Sequence, residues 1–244
     1  MFTYILAMDS NLSLNHIKAI RSLSAKKYRD KTGLFVVEGE KMVAEALESG
    51  FEVVEVWRRD EIGYDAMARI SQLSTPSPIL AVVKARPVRD DAECGGLCLA
   101  LDGVRDPGNF GTIIRLADWF GADVIYASPD SVELYNPKTV QASMGAIFRK
   151  KVIYCDIPQL CRRFRQAGLP VYGTFLDGED IYRQPLSAQG LVIMGNESSG
   201  ISPQVAEEVD HRLLIPSFSS GPTAESLNVA VATAVTLSEF RRRQ

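Results

Sequence analysis

The 244-residue chain carries a polar, glycine-containing segment, DGVRDPGNFGTIIR, at positions 102–115. The glycines on either side of Asn109 can form a tight turn directly before a helix. Arg115 lies off the apolar stripe of that helix, and its permanent positive charge can hold a phosphate or stabilise developing negative charge. A strand-to-helix turn followed by an ordinary surface arginine explains the same residues, so this segment alone decides nothing.

A second polar segment, MGNESSGIS at positions 194–202, directly follows the apolar run LVIM. Glu197 stands between Gly195 and Gly200, and a carboxylate in such a turn can accept backbone N–H bonds or meet a substrate hydroxyl. The alternative is an Asx-type turn before a helix that begins near Ser202. The local pattern favours neither interpretation.

A third segment, IPSFSSGPTAESLN at positions 215–228, runs into a helical pattern that extends from Leu227 to Arg242. This helix is apolar nearly all round, so it has to be covered on more than one side. Ser226 either belongs to a site or is the plain N-cap of the helix.

Two classes of ligand have little support in the sequence. No segment is a G-x-G-x-x-G fingerprint and no P-loop lysine follows the glycines, which argues against a nicotinamide or ATP site. Cys94 and Cys98 lack a second pair at zinc-finger spacing. We therefore expect reduced thiols and no metal site.

After Gly96, predicted strands alternate with predicted helices, which indicates a parallel sheet covered on both faces. Ligands bind beyond the carboxyl ends of such strands, where the three polar segments are expected. The predicted strands are 97–101, 124–127, 152–154, 170–173, 191–194 and 212–215. The predicted helices are 110–120, 158–167 and 227–242.

A smaller α/β unit precedes this pattern, with strands predicted at 34–37, 53–57 and 79–83. The charged stretch 84–96 marks the boundary and gives domains at 1–90 and 91–244. Between Lys18 and Lys31 there are six basic residues and one acid, a candidate nucleic-acid surface. The net charge of −3 argues mildly against nonspecific coating of nucleic acid.

No apolar run approaches the ~20 residues needed to span a bilayer. The first ten residues have no basic stretch ahead of an apolar core, the pattern of a signal peptide. We therefore expect a cytoplasmic protein without a membrane partner.

In this order and spacing, the three segments resemble the signature motifs of the SpoU (TrmH) branch of the SPOUT RNA methyltransferases. The matching positions are Asn109, Gly111 and Arg115; Gly195, Glu197 and Gly200; and Ile215, Pro216, Ser226, Leu227 and Asn228. The stretch KKYRDKTGLFVVEGEKMVAEAL, at positions 26–47, resembles the small L30e-like substrate-binding domain that precedes the catalytic domain in rRNA-modifying members.

The resemblance implies a SPOUT α/β-knot fold, with a mostly parallel sheet and a C-terminal trefoil knot, preceded by an L30e-like α/β domain. Knots are essentially absent from folds in general, and nothing in the periodicity predicts this one. The resemblance also implies an S-adenosylmethionine (SAM)-dependent enzyme that methylates a ribose 2′-OH of ribosomal, 23S-type RNA. A homodimer through the C-terminal knot domain is implied as well, and DNA is not expected as a partner.

The resemblance assigns residues to roles. The catalytic set is Arg115, Asn109, Glu197, Ser226 and Asn228. The cofactor set is Thr174, Gly173, Met194, Gly195, Asn196, Ile215 and Leu227. The expected RNA contacts in the first domain are Lys18, Arg21, Lys26, Lys27 and Arg29. Because the guanidinium of arginine stays protonated in proteins, Arg115 is expected to position RNA and stabilise charge, while a phosphate or water takes the proton.

Alternatives remain open at this point. A catalytically inactive protein of the same fold would bind rRNA or assist ribosome assembly. A tRNA 2′-O-methyltransferase would differ only in its RNA, and a base methyltransferase would differ in the accepting atom. A SAM-dependent rise in melting temperature would separate the enzymes from the inactive binder.

Overall fold

The computed structural model describes residues 12–87, 94–222 and 224–242, and these divide into two compact units. The first unit consists of 12–87 and 133–149, and the second of 94–132, 150–222 and 224–242. The expected domain boundary at residue 90 lies outside the described residues and stays a prediction.

The chain forms nine strands and ten α-helices within the described residues. The strands are β1 Leu34–Glu38, β2 Val53–Arg58, β3 Ile79–Lys84, β4 Leu97–Leu101, β5 Val124–Ala127, β6 Lys151–Tyr154, β7 Val171–Asp180, β8 Gly190–Met194 and β9 His211–Leu214. The helices are α1 Leu14–Ser22, α2 Lys26–Thr32, α3 Glu40–Glu48, α4 Arg59–Ile62, α5 Tyr64–Ile70, α6 Pro107–Trp119, α7 Pro137–Ser143, α8 Ile157–Gln166, α9 Pro203–Ala206 and α10 Val229–Arg242.

The first unit is built on a three-stranded antiparallel sheet in the order β1-β3-β2. The central strand β3 is buried over five successive residues, as expected of a strand with neighbours on both sides. Ile17 and Ile20 of α1 pack with Met67 of α5 in its core. The predicted small α/β unit is confirmed in these elements.

Residues 133–149 belong to the first unit, although they follow β5 of the second unit in the sequence. Tyr135 stacks on Phe35 with ring centroids 4.4 Å apart. Phe148 meets Phe51 edge-on at 5.1 Å. Only three-dimensional packing brings these aromatic rings together. The sequence pattern therefore did not predict that residues 133–149 belong to the first unit.

The second unit contains a six-stranded sheet, in the order β6-β5-β4-β8-β7-β9, in which every pairing is parallel. Cys98, Tyr126 and Phe164 contribute to the core between this sheet and α8. The predicted parallel α/β fold is confirmed, and the trefoil knot stays a prediction.

Strand β7 is longer than predicted, because its register shifts between Thr174 and Glu179, which both pair with Leu213. A Cβ at Gly178 would lie 2.6 Å from the carbonyl carbon of Leu213, so only glycine allows this approach. The polar sequence LDGED did not predict this extension of β7, because it lacks the alternation of apolar and polar residues that is typical of a strand.

No helix in the described ranges is long and apolar enough to cross a membrane.

Candidate active site

The three polar segments meet in a chain of side-chain hydrogen bonds. Asn109, in the first turn of α6, donates from Nδ2 to Oε1 of Glu197 at 3.1 Å. Asn228 donates from Nδ2 to Oδ1 of Asn109 at 2.9 Å. Because an ionised carboxylate only accepts, Glu197 fixes the orientation of the Asn109 amide, which in turn fixes that of Asn228.

Local capping places both asparagines. The side chain of Asp106 accepts a hydrogen bond from the backbone N–H of Asn109 at 2.7 Å and caps α6, in which Pro107 fills a position that needs no donor. Oδ1 of Asn228 accepts from the N–H of Ala230 at 3.0 Å and caps α10. The N-cap of α10 is therefore Asn228, and the structural alternative for Ser226 is wrong.

The turn that carries Glu197 depends on its neighbours. Oδ1 of Asn196 accepts the backbone N–H of Ser198 at 2.9 Å, which is an Asx turn, while its Nδ2 donates to the carbonyl of Gly103 at 2.6 Å. A Cβ at Gly195 would lie 2.3 Å from the carbonyl carbon of Gly200, so glycine is required there. The Asx-type turn is therefore confirmed at Asn196, and a contact between Glu197 and a substrate hydroxyl stays a prediction.

A cavity of about 500 Å³ lies at the carboxyl ends of the adjacent strands β8, β7 and β9. It is lined by most of the predicted cofactor set, Thr174, Met194, Gly195, Asn196, Ile215 and Leu227, and by the predicted catalytic residues Glu197 and Ser226. Gly173 is not part of the lining, because the space beside its α-carbon is filled by Phe175 and Ile201.

Arg115 is exposed on α6, six residues and about 9 Å along the helix axis from Asn109. Within the described part of the chain, its guanidinium has no hydrogen-bond or ion-pair partner. The structure thus joins Asn109, Glu197 and Asn228 directly, and no hydrogen bond links Arg115 to them.

The four cysteines are free thiols, and all of them pack in or against the core of the second unit. Burial raises the pKa of the Cys98 thiol to about 12, and it does the same for Cys161. These two thiols stay protonated near neutral pH, which makes them poor nucleophiles.

The predicted RNA contacts of the first unit are arranged unequally. Lys18 and Lys27 are exposed, Arg21 donates to the carbonyl of Arg69 at 3.1 Å, and Lys26 forms an exposed ion pair with Asp30 at 2.7 Å.

The prediction of an RNA contact is wrong for Arg29. It is only 6% exposed, and its Nε donates to Glu133 at 2.7 Å while Nη1 donates to the carbonyl of Leu23. Helix α2 turns this residue inward, where its charge is neutralised within the protein.

These features define a class of protein: a parallel α/β unit with a loop-lined cavity at its carboxyl edge, accompanied by a small α/β unit. Residues 96–238, more than half of the chain, match the SpoU rRNA Methylase family, and residues 15–63 match the MRM3-like substrate binding domain. The chain belongs to the SpoU rRNA Methylase family.

Individual relatives agree with this assignment. The 23S rRNA (guanosine(2553)-2′-O)-methyltransferase RlmP of Bacillus subtilis (strain 168) is 32% identical over 241 residues, 92% of this chain and 95% of that protein. A protein of the TrmH RNA methyltransferase family from Porphyromonas gingivalis is 40% identical, with a TM-score of 0.86 over 96% of this chain and all of that one. An AdoMet-bound rRNA methyltransferase from Sinorhizobium meliloti is 33% identical, with a TM-score of 0.81 over 96% and 97% of the two chains.

Proposed function

We propose that this protein is a SAM-dependent methyltransferase that methylates a ribose 2′-OH of 23S-type rRNA. The observation that carries the proposal is the hydrogen-bonded series Asn228–Asn109–Glu197, which leads to the rim of the cavity. RlmP of Bacillus subtilis, a 23S rRNA 2′-O-methyltransferase, aligns over nearly the whole chain and supports the choice of substrate.

The cavity suits the cofactor in size and chemistry. A volume of about 500 Å³ lies within the usual range for small-molecule sites. Leu227 lines the cavity and is 51% exposed. The flat ring system of a bound cofactor would cover this side chain, which the folded protein alone leaves exposed. The hydroxyl of Thr174 makes two long contacts, 3.4 Å to the Ile193 carbonyl and 3.9 Å to Sδ of Met194, and is available to a ligand.

SAM supplies a methyl group already activated by a positively charged sulfur. The protein has to orient the acceptor oxygen and assist loss of its proton. Glu197 is exposed and is held by Asn109, and its carboxylate has further lone pairs that can accept a hydrogen bond from the ribose hydroxyl. Arg115 would bind the adjoining phosphate and stabilise negative charge on the acceptor oxygen, while phosphate or water takes the proton.

The exposed basic residues Lys18, Arg21, Lys26 and Lys27 are proposed as RNA contacts of the first unit. Lys26 would exchange its exposed ion pair with Asp30 for a phosphate, whereas the guanidinium of Arg29 is buried and occupied by Glu133. The match of residues 15–63 to a substrate-binding domain supports this assignment, and the similarity to a 23S rRNA methyltransferase over nearly the whole chain favours rRNA over tRNA.

A homodimer through the C-terminal unit is also proposed. Helices α6 and α10 pack together, and each presents a large apolar side chain to solvent: Trp119 is 84% exposed and Val231 50%. In sedimentation experiments the wild-type protein should behave as a dimer, and Trp119→Glu should weaken the association of the two subunits. A monomer for the wild-type protein would contradict this part of the proposal.

The enzymatic proposal is tested by incubating the protein with tritiated SAM and an unmodified 23S-type rRNA transcript. Digestion to nucleosides and mass spectrometry should then identify one 2′-O-methylated nucleoside. Methylation of a base would replace the proposed reaction, and transfer only to tRNA would replace the proposed substrate. SAM binding without transfer to any RNA would favour the inactive RNA binder.

A further inference from the structure

Two aromatic rings lie at the surface of the second unit, in positions that the proposed reaction has not used. Tyr182 and Phe218 have ring centroids 6.4 Å apart with planes inclined by 34°. Phe218 is 84% exposed and Tyr182 is 39% exposed. A lone exposed apolar side chain is common in proteins, so the significance of this pair depends on where it lies in the fold.

The β7–β9 ladder fixes that place. Asp180 pairs with Leu214, and the N–H of Ile181 donates to the carbonyl of Leu214 at 2.9 Å. Tyr182 comes two residues after Asp180 on one strand, and Phe218 comes four residues after Leu214 on the other. The two rings therefore extend beyond the same end of one strand pair.

The same end of the ladder borders the cavity. Leu214, Ile215 and Ser217 all line it, and Glu197 lines it as well. Phe218, which follows Ser217, therefore lies at the rim of the cavity that the Glu197 carboxylate also lines.

Local hydrogen bonds stabilise the backbone of the loop that carries Phe218. Oγ of Ser217 accepts from the N–H of Ser219 at 3.3 Å, and the hydroxyl of Ser219 donates to the carbonyl of Gly221 at 3.1 Å. The loop satisfies these groups within itself while it presents the ring to solvent, with the Tyr182 ring inclined to it at a centroid distance of 6.4 Å.

We propose that Phe218, supported by Tyr182, stacks on the base of the nucleotide whose ribose is methylated. This inference rests on the proposed function. A nucleotide that enters a protein site leaves its neighbours in the RNA stack, and an exposed aromatic ring replaces part of the stacking that it loses. Every base has a π-face, so the contact positions the nucleotide without selecting among bases.

Three substitutions separate stacking from other roles. Phe218→Tyr keeps an aromatic ring, Phe218→Leu keeps apolar bulk without one, and Phe218→Ser removes both. Because the side chain is exposed, we expect all three to fold with unchanged melting temperature. The readouts are single-turnover methylation of the 23S-type transcript, filter binding of the same transcript, calorimetric SAM affinity and sedimentation.

Phe218→Tyr should methylate RNA at the wild-type rate, whereas Phe218→Leu and Phe218→Ser should each lose about 10-fold in the rate at subsaturating RNA. SAM affinity and oligomeric state should not change. Full activity of Phe218→Leu would overturn the stacking contact. Loss of SAM binding by Phe218→Ser would assign the ring to the cofactor site, and a change in sedimentation would assign it to a protein interface, and either result would overturn the proposal.

The proposed function can fail separately, if the wild-type protein transfers no methyl group to the transcript. Filter binding then still decides the inference. Weaker binding by Phe218→Ser than by Phe218→Tyr supports stacking on RNA, and equal binding by the two variants overturns it.

Discussion

Asn228 donates a hydrogen bond from Nδ2 to Oδ1 of Asn109 at 2.9 Å, across 119 positions of the sequence. Asn228 also caps α10 through Oδ1, and Asn109 continues to Glu197 through Nδ2. One side chain thus joins the start of the last helix to the carboxylate at the cavity. The helix cap and the link towards the proposed catalytic carboxylate use different atoms of the Asn228 amide.

Asn228→Ala should lower both stability and activity. Loss of the cap costs about 1 kcal/mol, equivalent to about 2–4 °C in melting temperature for a chain of this size. Loss of the Nδ2 donor leaves Oδ1 of Asn109 without its hydrogen bond, so the Asn109 amide is less firmly oriented towards Glu197 and the methylation rate should fall about 10-fold or more. Calorimetric melting and tritium transfer from SAM measure the two effects.

Asn228→Asp is the matched control, because aspartate caps helices as well as asparagine does but cannot donate to Asn109. The melting temperature should stay close to wild type while the methylation rate falls as it does in Asn228→Ala. A variant that retains full activity would exclude the Asn228–Asn109 bond from the reaction.

Arg115→Ala should abolish methylation, with SAM affinity within a few fold of wild type. The side chain is exposed and has no partner among the described residues, so its removal should change the melting temperature by no more than about 2 °C. Arg115→Lys should recover only part of the rate, because an ammonium group lacks the planar fork that binds phosphate. Normal turnover by Arg115→Ala would remove this residue from the mechanism.

Arg29 and Lys27 should respond in opposite ways to replacement by alanine. Arg29→Ala leaves Glu133 with only the more distant Lys26, at 3.8 Å, and removes the donor to the Leu23 carbonyl, so it should destabilise the protein by about 3 kcal/mol. Lys27→Ala should leave stability unchanged, weaken RNA binding, and reduce the dependence of log affinity on log salt by about 0.7–0.9. Thermal melting and filter binding at several salt concentrations distinguish the two; loss of RNA affinity in a fully stable Arg29→Ala variant would contradict the structural role.

The sequence predicted the elements whose signals are local. Buried runs such as Leu97–Leu101 and Val124–Ala127 were predicted at the bounds that the structure has. The three polar segments were likewise predicted to meet at the carboxyl edge of the sheet, and Asn109, Glu197 and Asn228 do so.

Features that depend on distant partners were not predicted. Nothing near Arg29 indicates that Glu133, 104 positions away, neutralises it. The extension of β7 depends on Gly178 meeting the backbone of Leu213, which a composition of LDGED does not reveal. The aromatic contact between Tyr182 and Phe218 has no spacing signature, since the parallel ladder that creates it joins strands far apart in the sequence.

The central claim is tested most directly by titrating SAM into the purified protein in a calorimeter, with Leu227→Arg as the control. Leu227 lines the cavity and is half exposed, so arginine at that position should block the cavity without disturbing the core. We predict saturable binding of SAM to the wild-type protein and none to the variant. Absence of binding to the wild-type protein at millimolar SAM would contradict the methyltransferase account and favour an RNA-binding role for the same fold.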